Sequence, residues 1–282
     1  MTVRLLSYLA PSVPSELFRV VATHLQRQLG CDVELSFDAS RSGPRPGEHE
    51  PFSTADVDLA FVCATSYVWL TTGRDPAIEL VGVGWSPTDP RAAGRPVYFG
   101  DVLAPMMGVC RLEELAGRRV AYNDDVSLSG YHSLRLALTA NAVDVSSIEF
   151  VRSGSHLRSL KLLTAGRVDA AAIDSNVWRR RAREAPGLRR KLMPIATLGP
   201  HPVQPLVARA GLSVEQRARV RHALVTAHHD AEVVAAMSAA ELRRFVPLRD
   251  HDFRSLRRHL AELGLEGAGG PVRGRRLQER TS

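Results

Sequence analysis

Leu115-Ala-Gly-Arg-Arg-Val-Ala-Tyr-Asn-Asp-Asp-Val-Ser-Leu-Ser-Gly-Tyr-His132 is the stretch on which the fold turns. Arg119 to Tyr122 has the length and composition of a short strand, and Asn123 to Asp125 forms a polar turn. A helix follows whose first turn holds Ser127, Ser129 and Gly130. A helix N-terminus offers unpaired backbone N–H groups and the positive end of the helix dipole. The two hydroxyls add donors, and a glycine lets the backbone approach a ligand closely. The segment therefore predicts an anion cradle, although Ser and Asp at a helix start also serve as ordinary N-caps.

Further motifs follow in a fixed order. Downstream lie Ser153-Gly-Ser-His-Leu-Arg-Ser-Leu160 and Gly166-Arg-Val-Asp-Ala-Ala-Ala-Ile-Asp-Ser175. Upstream lies Asp56-Val-Asp-Leu-Ala-Phe61 with Ser66-Tyr67, and later come Pro202-Val-Gln-Pro-Leu-Val-Ala208 and Phe245-Val-Pro247. From about Val3 to Leu263 the order resembles the phosphate/phosphite/phosphonate-binding family of solute-binding proteins that serve ABC importers. The resemblance implies an α/β, two-lobe type II periplasmic-binding-protein (Venus-flytrap) fold with a mixed, mostly parallel sheet in each lobe. It implies a small anionic ligand trapped between the lobes, contacted by Tyr67, Ser127, Leu128, Ser129, Gly130, Tyr131, His156 and Asp174. It also implies an ABC permease or a sensor as partner and no cofactor. Leu128 stands where the family carries a threonine, so the cradle is expected to lack one hydroxyl. Such a loss costs about 1.5 to 3 kcal/mol against a charged oxygen. That favours a sulfonate, a carboxylate or an organic molecule with one anionic group over a phosphonate dianion.

Composition agrees. With 282 residues, 44% hydrophobic and 24% charged, the chain is globular and long enough for two cores. No apolar run reaches the roughly 18 residues of a membrane span. Cys31, Cys63 and Cys110 share no metal-ligand spacing and are expected to be buried thiols. The formal net charge of +7 sits on predicted helix faces (Arg179–Arg183, Arg189–Lys191) and in the tail, without interleaved aromatics, which argues against a nucleic-acid partner. A basic field still draws small anions. Met1 runs directly into a predicted strand, Val3 to Tyr8, with no leader pattern. If the sequence is full length the protein is expected in the cytoplasm, and if a leader was removed, in the periplasm or outside the cell. The cytoplasmic case keeps a second function open. Enzymes resembling this fold, the chorismate dehydratase of menaquinone synthesis and the thiamin-pyrimidine synthases, act on carboxylate or phosphate substrates. There His156, His132 or Asp174 would move a proton.

Along the chain, lobe 1 is expected at 1–96 plus 207–266, lobe 2 at 97–206 and a disordered tail at 267–282, the whole a monomer. Helical spacing predicts a helix from Ser15 to Leu29, another from Ser129 to Ala140, one from Leu157 to Ala165, a long one from Val214 to Met237 and short ones at Ala239–Arg244 and Phe253–Leu263. Strands are expected at Val33–Phe37, Asp58–Cys63, Ile78–Trp85, Ser147–Val151 and Ala170–Asp174. The Gly- and Pro-rich 39–51 segment reads as a mobile loop. Asp124 and Asp125 are assigned to turn formation, Met106 and Met107 to the core, and Tyr8 and Tyr98 are weaker cleft candidates.

Overall fold

The computed structural model describes residues 2–45, 47–73 and 75–265. The expected tail lies outside them. In chain order the strands are β1 (Thr2–Ser7), β2 (Asp32–Phe37), β3 (Leu59–Phe61), β4 (Ile78–Leu80), β5 (Val83–Pro87), β6 (Val97–Pro105), β7 (Arg119–Tyr122), β8 (Glu149–Arg152), β9 (Ala170–Asp174), β10 (Leu192–Pro202), β11 (Leu206–Arg209) and β12 (Leu242–Pro247). The helices are α1 (Ser15–Leu29), α2 (Ala64–Leu70), α3 (Ser133–Ala140), α4 (His156–Thr164), α5 (Ser175–Glu184), α6 (Leu188–Lys191), α7 (Val214–Val225), α8 (Ala231–Ala239) and α9 (Arg254–Glu262).

These elements form two lobes, each on a five-stranded sheet. The first sheet has the order β2-β1-β3-β11-β4 and the second β10-β6-β9-β7-β8. Both are mixed. β1 runs parallel to β2 and β3, as β7 does to β8 and β9, while β11 and the long β6–β10 pair run against their neighbours. β6 leaves the first lobe for the second and β10 leads back, so the chain crosses twice. β1 and α1 show how sequence builds the first lobe: Leu17, Phe18, Val21, Ala22 and Leu25 recur at helical spacing and are buried on the sheet. Each such leucine contributes about 1.5 to 3 kcal/mol by leaving water. The second lobe buries Leu103, Leu134, Leu138, Leu160 and Ile173 on the two faces of its own sheet.

Several expectations are corrected. Ile78–Trp85 is two strands, because Gly82 turns the chain at φ +85° and sends β5 away to pair with β12. The expected helix at Ala239–Arg244 is instead the last residue of α8, a turn and the first three residues of the strand β12. Val214–Met237 breaks at Asp230, whose carboxylate caps α8 through Glu232 N (3.0 Å) and meets His24 Nδ1 at 2.8 Å. Segment 39–51 is pinned: Ser42 C=O accepts from Cys63 N at 2.8 Å, and Pro44 C=O accepts from Ser66 Oγ at 2.5 Å. Met106 and Met107 are exposed on the turn after β6, since that turn extends past the sheet. Cys63 alone of the three cysteines is buried, Cys110 being exposed on the loop after that turn.

Candidate functional site

The cradle segment folds into a π-helical turn at Leu128–His132 that leads into α3. Tyr131 N and His132 N both donate to Ser127 C=O, at 3.2 and 3.1 Å, which is the wide hydrogen bonding of such a turn. Ser127 caps it, its Oγ accepting from Gly130 N at 3.1 Å and leaving its own proton free to donate outward. Gly130 is required by close approach. A Cβ there would lie 1.9 Å from Asn123 Oδ1 and 3.0 Å from both His156 Cε1 and Ser127 Oγ. Beside this turn stands the start of α4, capped by Ser155, whose side chain accepts from Arg158 N at 3.2 Å. The first N–H groups of α4 have no partner within the helix and carry the positive end of its dipole.

Between the lobes lies a cavity of about 40 Å³ into which these elements converge. Ser127, Ser129, His156 and Asp174 line it together with Tyr8, Arg41, Tyr98 and Asp124. Ser129 Oγ stands 3.5 Å from His156 Nε2, and His156 Nδ1 is buried without a hydrogen-bond partner. Burial lowers the His156 pKa to about 4. At neutral pH the ring is therefore uncharged and offers one N–H. Asp174 ends β9 and caps α5, accepting from Asn176 N at 2.8 Å and from Gln204 Nε2 at 3.3 Å. Burial pushes its carboxyl up to about 6.

The other sequence candidates stand elsewhere. Tyr67 is buried in the first lobe: its hydroxyl donates to Asp250 Oδ1 at 2.7 Å, and its ring packs on Phe253 with centroids 4.5 Å apart. It does not line the cavity, because α2 turns it toward α9. Leu128 is buried among the apolar residues of the first lobe, with Val126 and Tyr98, and takes no part in the cavity wall. A side chain at 128 thus seals one lobe on the other, and its missing hydroxyl subtracts nothing from the wall as it stands. Tyr131 stacks on Tyr122 at 4.6 Å beneath the cradle. His132 Nε2–H donates to Asp125 C=O at 2.9 Å, and the ring sits edge-on to Trp69.

Residues that sequence reasoning missed complete the wall. Arg41, from the 39–51 segment, is the one cationic side chain that lines the cavity among the described residues, and its Nε is buried without a hydrogen bond. Its neighbour Ser42 donates to Asp124 Oδ2 at 2.5 Å, and Asn123 Nδ2 donates to the same oxygen at 2.8 Å. Asp124, assigned from sequence to the turn alone, therefore also faces the cleft, with its carboxyl pKa raised by burial. The lobes are tied across the cleft by this Ser42–Asp124 bond, by Arg45–Asp125 at 3.2 Å, by Thr65 donating to Val126 C=O, and by Arg180 donating to Ser12 C=O at 3.0 Å. Arg180, read from sequence as part of a solvated arginine face, is buried. The signal for Arg41 and Ser42 was a polar segment following a strand end. Nothing local fixed that it folds inward.

Two lobes crossed twice by the chain, with a small polar cavity closed between them and helix N-terminal donors turned into it, define a two-lobe solute-binding protein. The family model for the periplasmic substrate-binding proteins of phosphonate ABC transporters matches residues 4–253, and the chain belongs to that family. Proteins of this family bind small ligands and work with an ABC permease. Among solved structures, the chain is similar to a binding protein component of an ABC phosphonate transporter from Pseudomonas aeruginosa (TM-score 0.76, 19% identity, 94% of this chain and 86% of that one). It is similar also to PhnD1 of Prochlorococcus marinus in complex with methylphosphonate (TM-score 0.76, 14% identity, 94% and 98%). The periplasmic aliphatic sulphonate-binding protein SsuA of Escherichia coli shares the fold at TM-score 0.61, with 14% identity over 100% and 96%. Among the described residues, no helix is long and apolar enough to cross a membrane.

Proposed function

We propose that the interlobe cavity binds the head group of a small phosphorus oxyanion, of the size of methylphosphonate or phosphite, for uptake through an ABC permease. The observation that carries the reading is the convergence of Ser127, Ser129 and His156 with the start of α4 on one buried cavity. Hydroxyls, one neutral imidazole N–H and helix N-terminal amides are donors that match an oxyanion without requiring a lysine. Tyr8 and Arg41, from the other lobe, and Tyr98, whose hydroxyl meets Ser129, also line this space. About 40 Å³ is room for roughly three waters, which suits a small head group and excludes a bulky one.

The carboxyls of Asp124 and Asp174 line the same space and set a charge condition. A fully ionised dianion beside two carboxylates is disfavoured, whereas a protonated carboxyl donates to an anion oxygen. Burial, which pushes both carboxyls up, supports proton sharing between ligand and wall. The ligand is bound as a monoanion or brings its own proton. Closure brings lobe 1 (1–96 plus 207–266) onto lobe 2 (97–206) in a protein that acts as a monomer.

A thermal-shift panel tests the reading: methylphosphonate, phosphite, phosphate, methanesulfonate and acetate, with mass spectrometry of each mixture for product. Binding to the native state alone stabilises by about 2.7 kcal/mol at a hundredfold excess over Kd, a shift of about 5 °C or more for a chain of this length. The expected result is a shift with a phosphorus oxyanion and its recovery unchanged. A shift confined to acetate or methanesulfonate, or conversion of any compound, would overturn it.

A further inference from the structure

Glu241 stands between α8 and β12 in the first lobe, outside the cavity, and its surroundings single it out. It holds a left-handed backbone conformation, φ +61°, which a residue other than glycine keeps only where neighbours fix it. Thr88 does so here, its N–H donating to Glu241 C=O at 2.9 Å and its hydroxyl to Glu241 Oε2 at 2.6 Å. The residue is 6% exposed, so its carboxylate is a buried charge. Among the described residues its cationic partners both belong to α5 of the second lobe. Arg183 Nη1 stands 2.5 Å from Glu241 Oε1, and Arg179 Nε stands 3.8 Å from Oε2. Arg183 Nη2 also donates at 3.3 Å to the carbonyl of Ala239, the last residue of α8.

A buried carboxylate compensated only from across the lobe boundary opposes separation of the lobes. Its partners would leave with the second lobe while Thr88 keeps it in place, and the charge would be left unpaired. The same displacement would carry α5, whose first residue follows the cavity-lining Asp174. We propose that Glu241 is a positioning residue for the cleft: its pairing with Arg179 and Arg183 holds the second lobe shut on the first, so that Glu241 sets ligand affinity from outside the cavity. The inference takes the cleft to be the ligand site as proposed above, whereas closure itself is measured without any ligand.

Small-angle X-ray scattering of the whole protein, joined to calorimetric titration of methylphosphonate, tests it. Glu241→Gln keeps the acceptor for Thr88 and loses the charge. With folding checked by its melting curve, this variant should have a larger radius of gyration than the parent when no ligand is added. It should bind methylphosphonate about tenfold more weakly, because affinity falls with the closed fraction. Saturating methylphosphonate should return the radius to that of the parent. Arg179→Gln/Arg183→Gln, made in the other lobe, should give the same enlargement, and adding Glu241→Gln to it should change almost nothing further. A parent-like radius or undiminished binding in folded Glu241→Gln, or effects of the two sides that simply add, would overturn the proposal. Silence of methylphosphonate in the parent, with the radius still enlarged in both variants, would overturn the head-group reading and uphold closure by Glu241.

Discussion

Gly130→Ala probes the cradle at its tightest point. The new methyl would lie 1.9 Å from Asn123 Oδ1, where about 3.0 Å is the least any Cβ tolerates, so the amide must retreat by about 1 Å. Asn123 is 4% exposed and holds Asp124 Oδ2 at 2.8 Å, and Asp124 in turn holds Ser42 of the other lobe. Overpacking costs about 1 to 3 kcal/mol. A lost bond to a carboxylate adds about 1.5 to 3 kcal/mol, giving about 2.5 to 6 kcal/mol in total. For a chain of this size that lowers Tm by about 5 to 15 °C. Melting curves and urea titrations measure the loss, and calorimetry with methylphosphonate should show weakened binding because Ser127 and His156 are displaced together. Asn123→Ala in the Gly130→Ala background removes the clashing atom and should restore part of the stability, a coupling that a double-mutant cycle isolates. A Gly130→Ala protein melting within 1 or 2 °C of its parent would refute the packing argument.

Three other outcomes follow from the same structure. His132, His156 and His201 are each lowered to about 4 by burial, so an unfolded chain gains protons below about pH 6.5 that the native one refuses. Asp174, raised to about 6, works in the opposite sense between about pH 6 and 3.8 and offsets one histidine. Stability should therefore fall by about 2 to 3 kcal/mol per pH unit near pH 5, and a flat profile in urea midpoints from pH 7 to 5 would contradict the buried neutral rings. Leu128→Thr should cost about 2 to 4 kcal/mol by emptying a buried apolar site, without tightening methylphosphonate binding; a gain in affinity at no cost in Tm would show that residue 128 faces the ligand. Tyr67→Phe should cost about 1 kcal/mol through its lost bond to Asp250, with affinity unchanged, and a tenfold loss of affinity would return Tyr67 to the site.

Much of this was legible in the sequence because it is local. The α1 boundaries, β9 with its Asp174 cap, and the α4 start with its Ser155 cap follow from periodicity and capping within a few residues. Ser127, Ser129, His156 and Asp174 are brought to one cavity because each sits at the cleft end of a strand or the start of a helix. What failed depended on distant partners. β12 carries helix-forming residues up to Arg244 and becomes a strand because β5 offers it an edge. Ser42 enters the site because Asp124, 82 positions away, receives its hydroxyl, and Arg41 comes in as its neighbour, held by Glu48. Tyr67 leaves it because Asp250, 183 positions away, takes its hydroxyl. Arg180 belongs to a run of arginines in sequence, yet the packing of α5 beside the β1–α1 loop buries it alone of that run.

The central claim is that the Ser127–Ser129–His156 cradle holds a phosphorus oxyanion, and calorimetric titration of methylphosphonate into the parent protein and into the Ser127→Ala/Ser129→Ala variant tests it most directly. Two hydroxyl donors to a charged ligand are worth about 3 to 6 kcal/mol together, so the variant, folded by its melting curve, should bind at least about a hundredfold more weakly. Affinity within a few-fold of the parent in that folded variant would contradict it.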